Sequence, residues 1–181
     1  MFTKILVEEN HKVLLLSTFF LPFLALLSDI YYMGVNYRGK LSNRLREIVD
    51  ALPLFPGARV LEIGCGPGAA AREIAERISE EGYILAIDRS ARAIQQAMDS
   101  LEGAEAKNIR FLQLSSEQLE LPPEEELFDI AFAVRVGAFD GRHPEVQEIS
   151  LRQVAKALRP EGKFYIDGGN PLREIFLDSY R

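Results

Sequence analysis

The chain has 181 residues, 48% of them hydrophobic, which is enough for one domain with its own buried core and no disulfide or metal staple. A formal net charge of -6 and an isoelectric point near 5.1 argue against a surface that neutralises phosphates, so a small molecule is a better expected partner than nucleic acid. The single cysteine, Cys65, excludes an internal disulfide framework and a multi-cysteine zinc site, and the two histidines, His11 and His143, leave little for a histidine centre; no bound metal is expected, and a lone thiol suits a reducing cytoplasm.

In chain order, the first feature is Val13 to Leu27, VLLLSTFFLPFLALL, 15 residues without a charge after His11 and Lys12. That falls short of the roughly 20 residues of a membrane-spanning helix, matches a signal-peptide core in length, and lacks a clean small-x-small cleavage pattern. Three readings stay open: a helix or mobile lead belonging to the domain, a membrane anchor or uncleaved signal, and a leader outside the fold. The expected division is therefore an apolar lead over 1–35 and a domain over 36–181, cytoplasmic, with membrane association through the apolar run as an option. Tyr31, Tyr32 and Tyr37 read as core or interface aromatics, with a lid over a ligand as the other reading.

Leu41, Leu45, Ile48 and Val49 mark a short helix that stops near Pro53. From Arg59 onward, short runs rich in β-branched residues alternate with longer amphipathic stretches, the pattern of a parallel sheet with covering helices. The strands read as Arg59 to Ile63, Tyr83 to Ile87, Ile109 to Leu114, Phe128 to Val134 and Lys163 to Asp167. The helices read as Ala69 to Glu80, with Ile74, Ala75 and Ile78 inward; a stretch after a Ser90 cap with Ile94, Met98 and Leu101 on one face; and a stretch with Leu151, Val154, Ala155 and Leu158 inward, ended by Pro160. Right-handed crossovers stack such units into an open, doubly wound α/β sheet, mainly parallel, with helices on both faces and ligands outside the carboxyl ends of the strands. The run Pro122 to Glu126 reads as a solvated acidic loop.

The segment VLEIGCGPG, Val60 to Gly68, puts a strand directly before a glycine-rich turn that opens a helix, with Gly64, Gly66 and Gly68 at alternate positions. A turn of that kind brings backbone close to a ligand, but Gly64, Gly66 and Ala69 also satisfy a loose G-x-G-x-x-A dinucleotide pattern, so the glycines alone do not decide. Asp88 ends the next strand 20 positions beyond Gly68, where a carboxylate accepts hydrogen bonds from both hydroxyls of a ribose; a helix-capping role is the alternative. The acid Glu62, two residues before the first glycine, FDIAFAV at Phe128 to Val134 and LRPEGKFYID at Leu158 to Asp167 tip the balance.

With these motifs the stretch from about residue 40 to 170 resembles the class I S-adenosylmethionine-dependent methyltransferases, whose glycine loop reads E/D-x-G-x-G-x-G, whose second strand ends in an acid and whose fifth follows an L-x-P-G-G-like turn. The resemblance implies S-adenosylmethionine as cofactor, with Gly64, Gly66 and Gly68 near its methionine half, Cys65 a small residue of the same loop, Glu62 bracing the loop or reaching the amino group through water, and Asp88, beside Arg89, on the ribose. The family's adenine-reading acid is replaced by Ser115, flanked by Ser116 and Glu117, and Glu161 stands where the turn usually has glycine. The family's sheet commonly continues into a helix and an antiparallel strand pair; the residues after Asp167 suggest only a short terminal helix, hence a compact variant with an exposed sheet edge or one covered by another subunit, a homodimer for example.

Arg135, at the end of the fourth strand, is a candidate for a cofactor or substrate carboxylate; Asp140 and His143, in the loop after it, are candidate bases; Asp167, Gly168 and Asn170 border the expected acceptor pocket. The reaction implied is direct displacement of the methyl group by an acceptor, with in-line positioning as the main contribution and no base identified. Two other functions remain: a non-catalytic cofactor-binding or scaffold protein, and a nicotinamide-dependent oxidoreductase, the latter weakened by the lack of a Tyr-x-x-x-Lys pair.

Overall fold

A computed structural model describes residues 41–101 and 107–181, together with the backbone of 8–9 and 12–13. In the first of two compact units, Met1–Lys40, strand β1 (Glu8–Glu9) pairs antiparallel with β2 (Lys12–Val13). The apolar run beyond Val13 and the tyrosines 31, 32 and 37 lie outside the described residues. Among the described residues, no helix is long and apolar enough to cross a membrane.

The second unit, Leu41–Arg181, is built on one sheet. Its strands are β3 (Arg59–Ile63), β4 (Tyr83–Asp88), β5 (Ile109–Gln113), β6 (Phe128–Ala133), β7 (Leu158–Asp167) and β8 (Leu172–Ile175), in the order β5-β4-β3-β6-β7-β8. The first five are mutually parallel and β8 runs antiparallel against β7. In the central rungs Val60 sits opposite Ile84 and Ile130, and Leu61 opposite Leu85 and Ala131. Both faces of these strands are therefore apolar, as a parallel sheet covered on two sides requires.

One face meets three helices, α1 (Asn43–Ala51), α2 (Ala69–Arg77) and α3 (Ala91–Asp99): Val60, Ile84, Ala86 and Phe132 pack with Val49, Ile74 and Ile94. The other meets α4 (Pro144–Ala157), where Leu61, Ile63, Leu85 and Ile87 pack with Leu151, Val154 and Ala155. The helix starts follow local chemistry. Ser42 and Ser90 accept from the amides of Leu45 and Ala93, both at 3.3 Å, and Pro144 occupies the first turn of α4, where a missing N–H costs nothing.

Several boundaries differ from the sequence reading. Helix α2 stops at Arg77 because Ser79 turns left-handed (φ 63°), and the freed carbonyls of Ala75 and Ser79 accept from the Asn108 side-chain amide at 2.9 and 2.7 Å. Met98, read as inward, is 51% exposed, while Ala97 takes the buried place beside Ile94. Leu158 is not helical: it opens β7 opposite Phe128, and regular pairing resumes only at Lys163 opposite Ile130, so Arg159 to Gly162 bulge out between two rungs. After Asp167 the chain adds β8 before a short helical turn at Asp178–Tyr180, where only a terminal helix was expected.

Candidate active site

Strands β3 and β6 lie side by side, but their following helices, α2 and α4, cover opposite faces, which opens a crevice at the carboxyl ends of the strands. A cleft of about 420 Å³ occupies that crevice, walled by Gly64, Asp88, Leu114, Ser115, Arg135 and His143 among others.

The glycine turn is braced against the neighbouring strand. Gly64 and Cys65 donate to the carbonyl of Ile87 at 2.8 and 3.0 Å, and Gly66 donates to Asp88 Oδ2 at 2.9 Å. The second Asp88 oxygen accepts from the Ser90 amide at 2.8 Å, so one carboxylate joins the glycine turn to the start of α3 and still carries free lone pairs on the cleft side. The glycines do different things. Gly64 lines the cleft, and a Cβ there would sit 2.5 Å from Val136 Cγ2; Gly68, at φ 74°, lets Phe111 and Ala97 pack against the loop and does not reach the cleft.

Glu62 lies on the same face of β3 as Val60, and it is 4% exposed. Its Oε2 is buried with no hydrogen-bond partner. Burial first, then the nearby Asp88 charge, pushes its carboxyl up to about 8, against a smaller lowering by an Ala71 backbone hydrogen bond and by Arg72. Burial and the same two acids also raise the Cys65 thiol, which makes it a poor nucleophile.

On the other side of the cleft, Arg135 holds a left-handed conformation (φ 57°) that costs an L-residue roughly 1–2 kcal/mol. Charged groups clamp its backbone. Asp167 Oδ1 accepts its N–H at 3.0 Å while Oδ2 pairs with Arg44 at 2.9 Å, and Arg142 donates to its carbonyl. Arg142 is itself held by both Asp140 oxygens, at 2.7 to 3.0 Å, which lowers the Asp140 carboxyl. His143 stands at the start of α4 without a side-chain capping bond; its Nδ1 is 3.2 Å from Glu145 Oε1, and its ring lies over Gly137, where a Cβ would come within 2.3 Å of Cδ2.

A family described as a methyltransferase domain matches residues 54–178. The chain belongs to this methyltransferase-domain family. A ubiquinone/menaquinone biosynthesis C-methyltransferase, UbiE, of Ectopseudomonas mendocina is 30% identical over 160 residues, which are 86% of this chain and 58% of that protein. A SAM-dependent methyltransferase from Aquifex aeolicus superposes with a TM-score of 0.57 at 17% identity, over 74% of this chain and 70% of that one. PKMT2 from Rickettsia typhi, solved with AdoHcy, gives a TM-score of 0.52 at 28% identity, over 68% of this chain and 24% of that one. The chain spans about half the length of most curated relatives it matches.

Within this methyltransferase domain, the residues singled out from sequence fall into three groups. Gly64, Asp88, Arg89, Ser115, Ser116, Glu117, Arg135 and His143 all line the one cleft. Glu62, Cys65, Gly66 and Gly68 form the floor and the turn behind it, and Asp140 and Asp167 hold the Arg135 segment without lining it. Ser116 touches the cleft, but its hydroxyl is turned into the core against Ser150 at 2.9 Å, and the Ser115 hydroxyl donates to Gln118 Oε1 at 2.9 Å. Sequence reading missed Gly137, Arg142 and Glu145. The acid in the first turn after His143-Pro144 is the one signal that pointed to Glu145.

Proposed function

We propose that this chain is an S-adenosylmethionine-dependent methyltransferase acting on a small-molecule acceptor. One observation carries the reading: a buried carboxylate oxygen without a partner, Glu62 Oε2, lies beneath the glycine turn of a cleft whose next strand ends in Asp88. This set of acceptors fits a ligand that bears a cation and a ribose diol. Glu62 answers an ammonium group, directly or through water; the free lone pairs of Asp88 answer the two hydroxyls; Leu114 and the Ser115 to Glu117 turn flank the place for a nucleobase. When bound, S-adenosylmethionine supplies an electrophilic methyl group. The protein's part is to align the acceptor with that group and to keep water out.

His143 is the base this reading assigns where the acceptor must lose a proton. In the tautomer that places the Nδ1 proton toward Glu145, the Nε2 lone pair is left to accept, whereas Asp140 is already committed to Arg142. His143→Gln is expected to lower kcat by about a hundredfold with a hydroxyl or amine acceptor and to leave cofactor affinity unchanged. UbiE, by its name a C-methyltransferase, adds carbon to the candidate methylated atoms.

A thermal-shift comparison tests the cofactor directly. S-adenosylmethionine and S-adenosylhomocysteine are expected to raise Tm and NAD to leave it unmoved; a rise with NAD alone would replace this reading with the oxidoreductase one.

A further inference from the structure

We infer that the methyl acceptor is an organic acid, an apolar body carrying one carboxylate, and that Arg135 recognises that carboxylate. The inference deepens the methyltransferase reading and rests on it for the place of the acceptor.

The backbone of Arg135 is held by charged side chains on both its N–H and its carbonyl. A residue forced into the left-handed region (φ 57°) is fixed from both sides, by Asp167 on its N–H and Arg142 on its carbonyl. Fixing a strained residue this way makes sense when the direction of its side chain matters. The two acids that hold this segment are paired with other arginines, Asp167 with Arg44 and Asp140 with Arg142, and Glu145 is hydrogen-bonded to His143. In a chain of net charge -6, an exposed guanidinium at a cleft rim whose flanking aspartates are already paired is set up to receive an outside anion. Its planar fork matches a carboxylate with two parallel hydrogen bonds.

The rest of the wall describes the body of the acceptor. Val134, Val136, Ala138 and Val146 line this side of the cleft, so the part of the acceptor away from the carboxylate meets aliphatic side chains. The acids that line the cleft at Asp88 and Glu117 sit at the ends of other strands, β4 and β5. Arg89 also lines the Asp88 side and Glu145 the Arg135 side, so the orientation of the acceptor rests on the clamped backbone of Arg135 and the aliphatic wall beside it.

The test uses the full chain and two probes of nearly equal shape, 4-hydroxybenzoate and its neutral amide, 4-hydroxybenzamide. S-adenosylhomocysteine is titrated first by calorimetry, and the probes are then titrated into the saturated protein. The acid is expected to bind about tenfold tighter than the amide. Arg135→Asn, chosen because asparagine tolerates the left-handed backbone, is expected to erase that preference while the affinities for the amide and for S-adenosylhomocysteine stay unchanged; Arg135→Lys is expected to restore part of it. Equal binding of the two probes, a preference that survives Arg135→Asn, or no binding of the acid at millimolar concentration overturns the inference. Failure of S-adenosylhomocysteine to bind is read separately, in the first titration, and counts against the cofactor reading alone.

Discussion

A carboxyl group sealed beneath a helix, with one oxygen lacking a partner, is held neutral by its surroundings until something cationic arrives. Glu62 is in that position, its carboxyl raised from 4.5 to about 8. The folded chain therefore keeps a proton that the unfolded chain has lost across this window. Its contribution to stability is complete below about 4.5 and declines as pH rises to about 8. Denaturant titrations of the ligand-free protein are expected to show stability falling over that range, and Glu62→Gln is expected to flatten the slope. Asp88→Ala is expected to weaken S-adenosylhomocysteine binding by at least tenfold in calorimetry, since an ionised acceptor is worth about 1.5–3 kcal/mol and the Gly66 amide loses its partner as well. Both acids are legible in the sequence because they sit at fixed offsets from a glycine turn. The hold on Arg135 and the seat of His143 over Gly137 are not, because they depend on how a loop closes on itself after β6.

At the level of elements, the strands were readable because their two apolar faces leave an unmistakable run of Val, Ile, Leu and Phe. Leu158 was misread for a specific reason: it continues the helical spacing of Leu151, Val154 and Ala155, yet its side chain is buried just as well in the first rung of β7. Strand β8 escaped notice because LREI is short and half charged; it becomes a strand by pairing with β7, Ile175 beside Phe164 and Arg173 beside Ile166. The same pairing corrects the expectation of a bare sheet edge next to β7. The junction of β3 and α2 depends on Gly68 for packing. Gly68→Ala puts a Cβ 2.5 Å from Phe111 Cζ and 3.0 Å from Ala97 Cβ at a φ of 74°, so a loss of about 2–4 kcal/mol is expected, visible as a lower denaturation midpoint.

For the whole molecule, residues 41–181 form a compact unit with its own core on both sheet faces, and the family match lies inside it. We expect a chain shortened to 41–181 to unfold in one cooperative transition and to bind S-adenosylhomocysteine within about threefold of the full chain. A broad, probe-dependent transition would show that residues 1–40 complete the fold. The excursion from Arg159 to Gly162 has a practical side. Four residues there face a single Asp129, and Pro160 and Glu161 are exposed at the end of the sheet remote from the cleft. Extra length spliced at this spare loop leaves the register of Lys163 to Asp167 alone, whereas one residue inserted after Lys163 turns Asp167 to the opposite side of the sheet and frees the segment it anchors. A fluorophore or tether placed between Pro160 and Glu161 would therefore report on, or immobilise, the protein with its cleft facing the bulk solution.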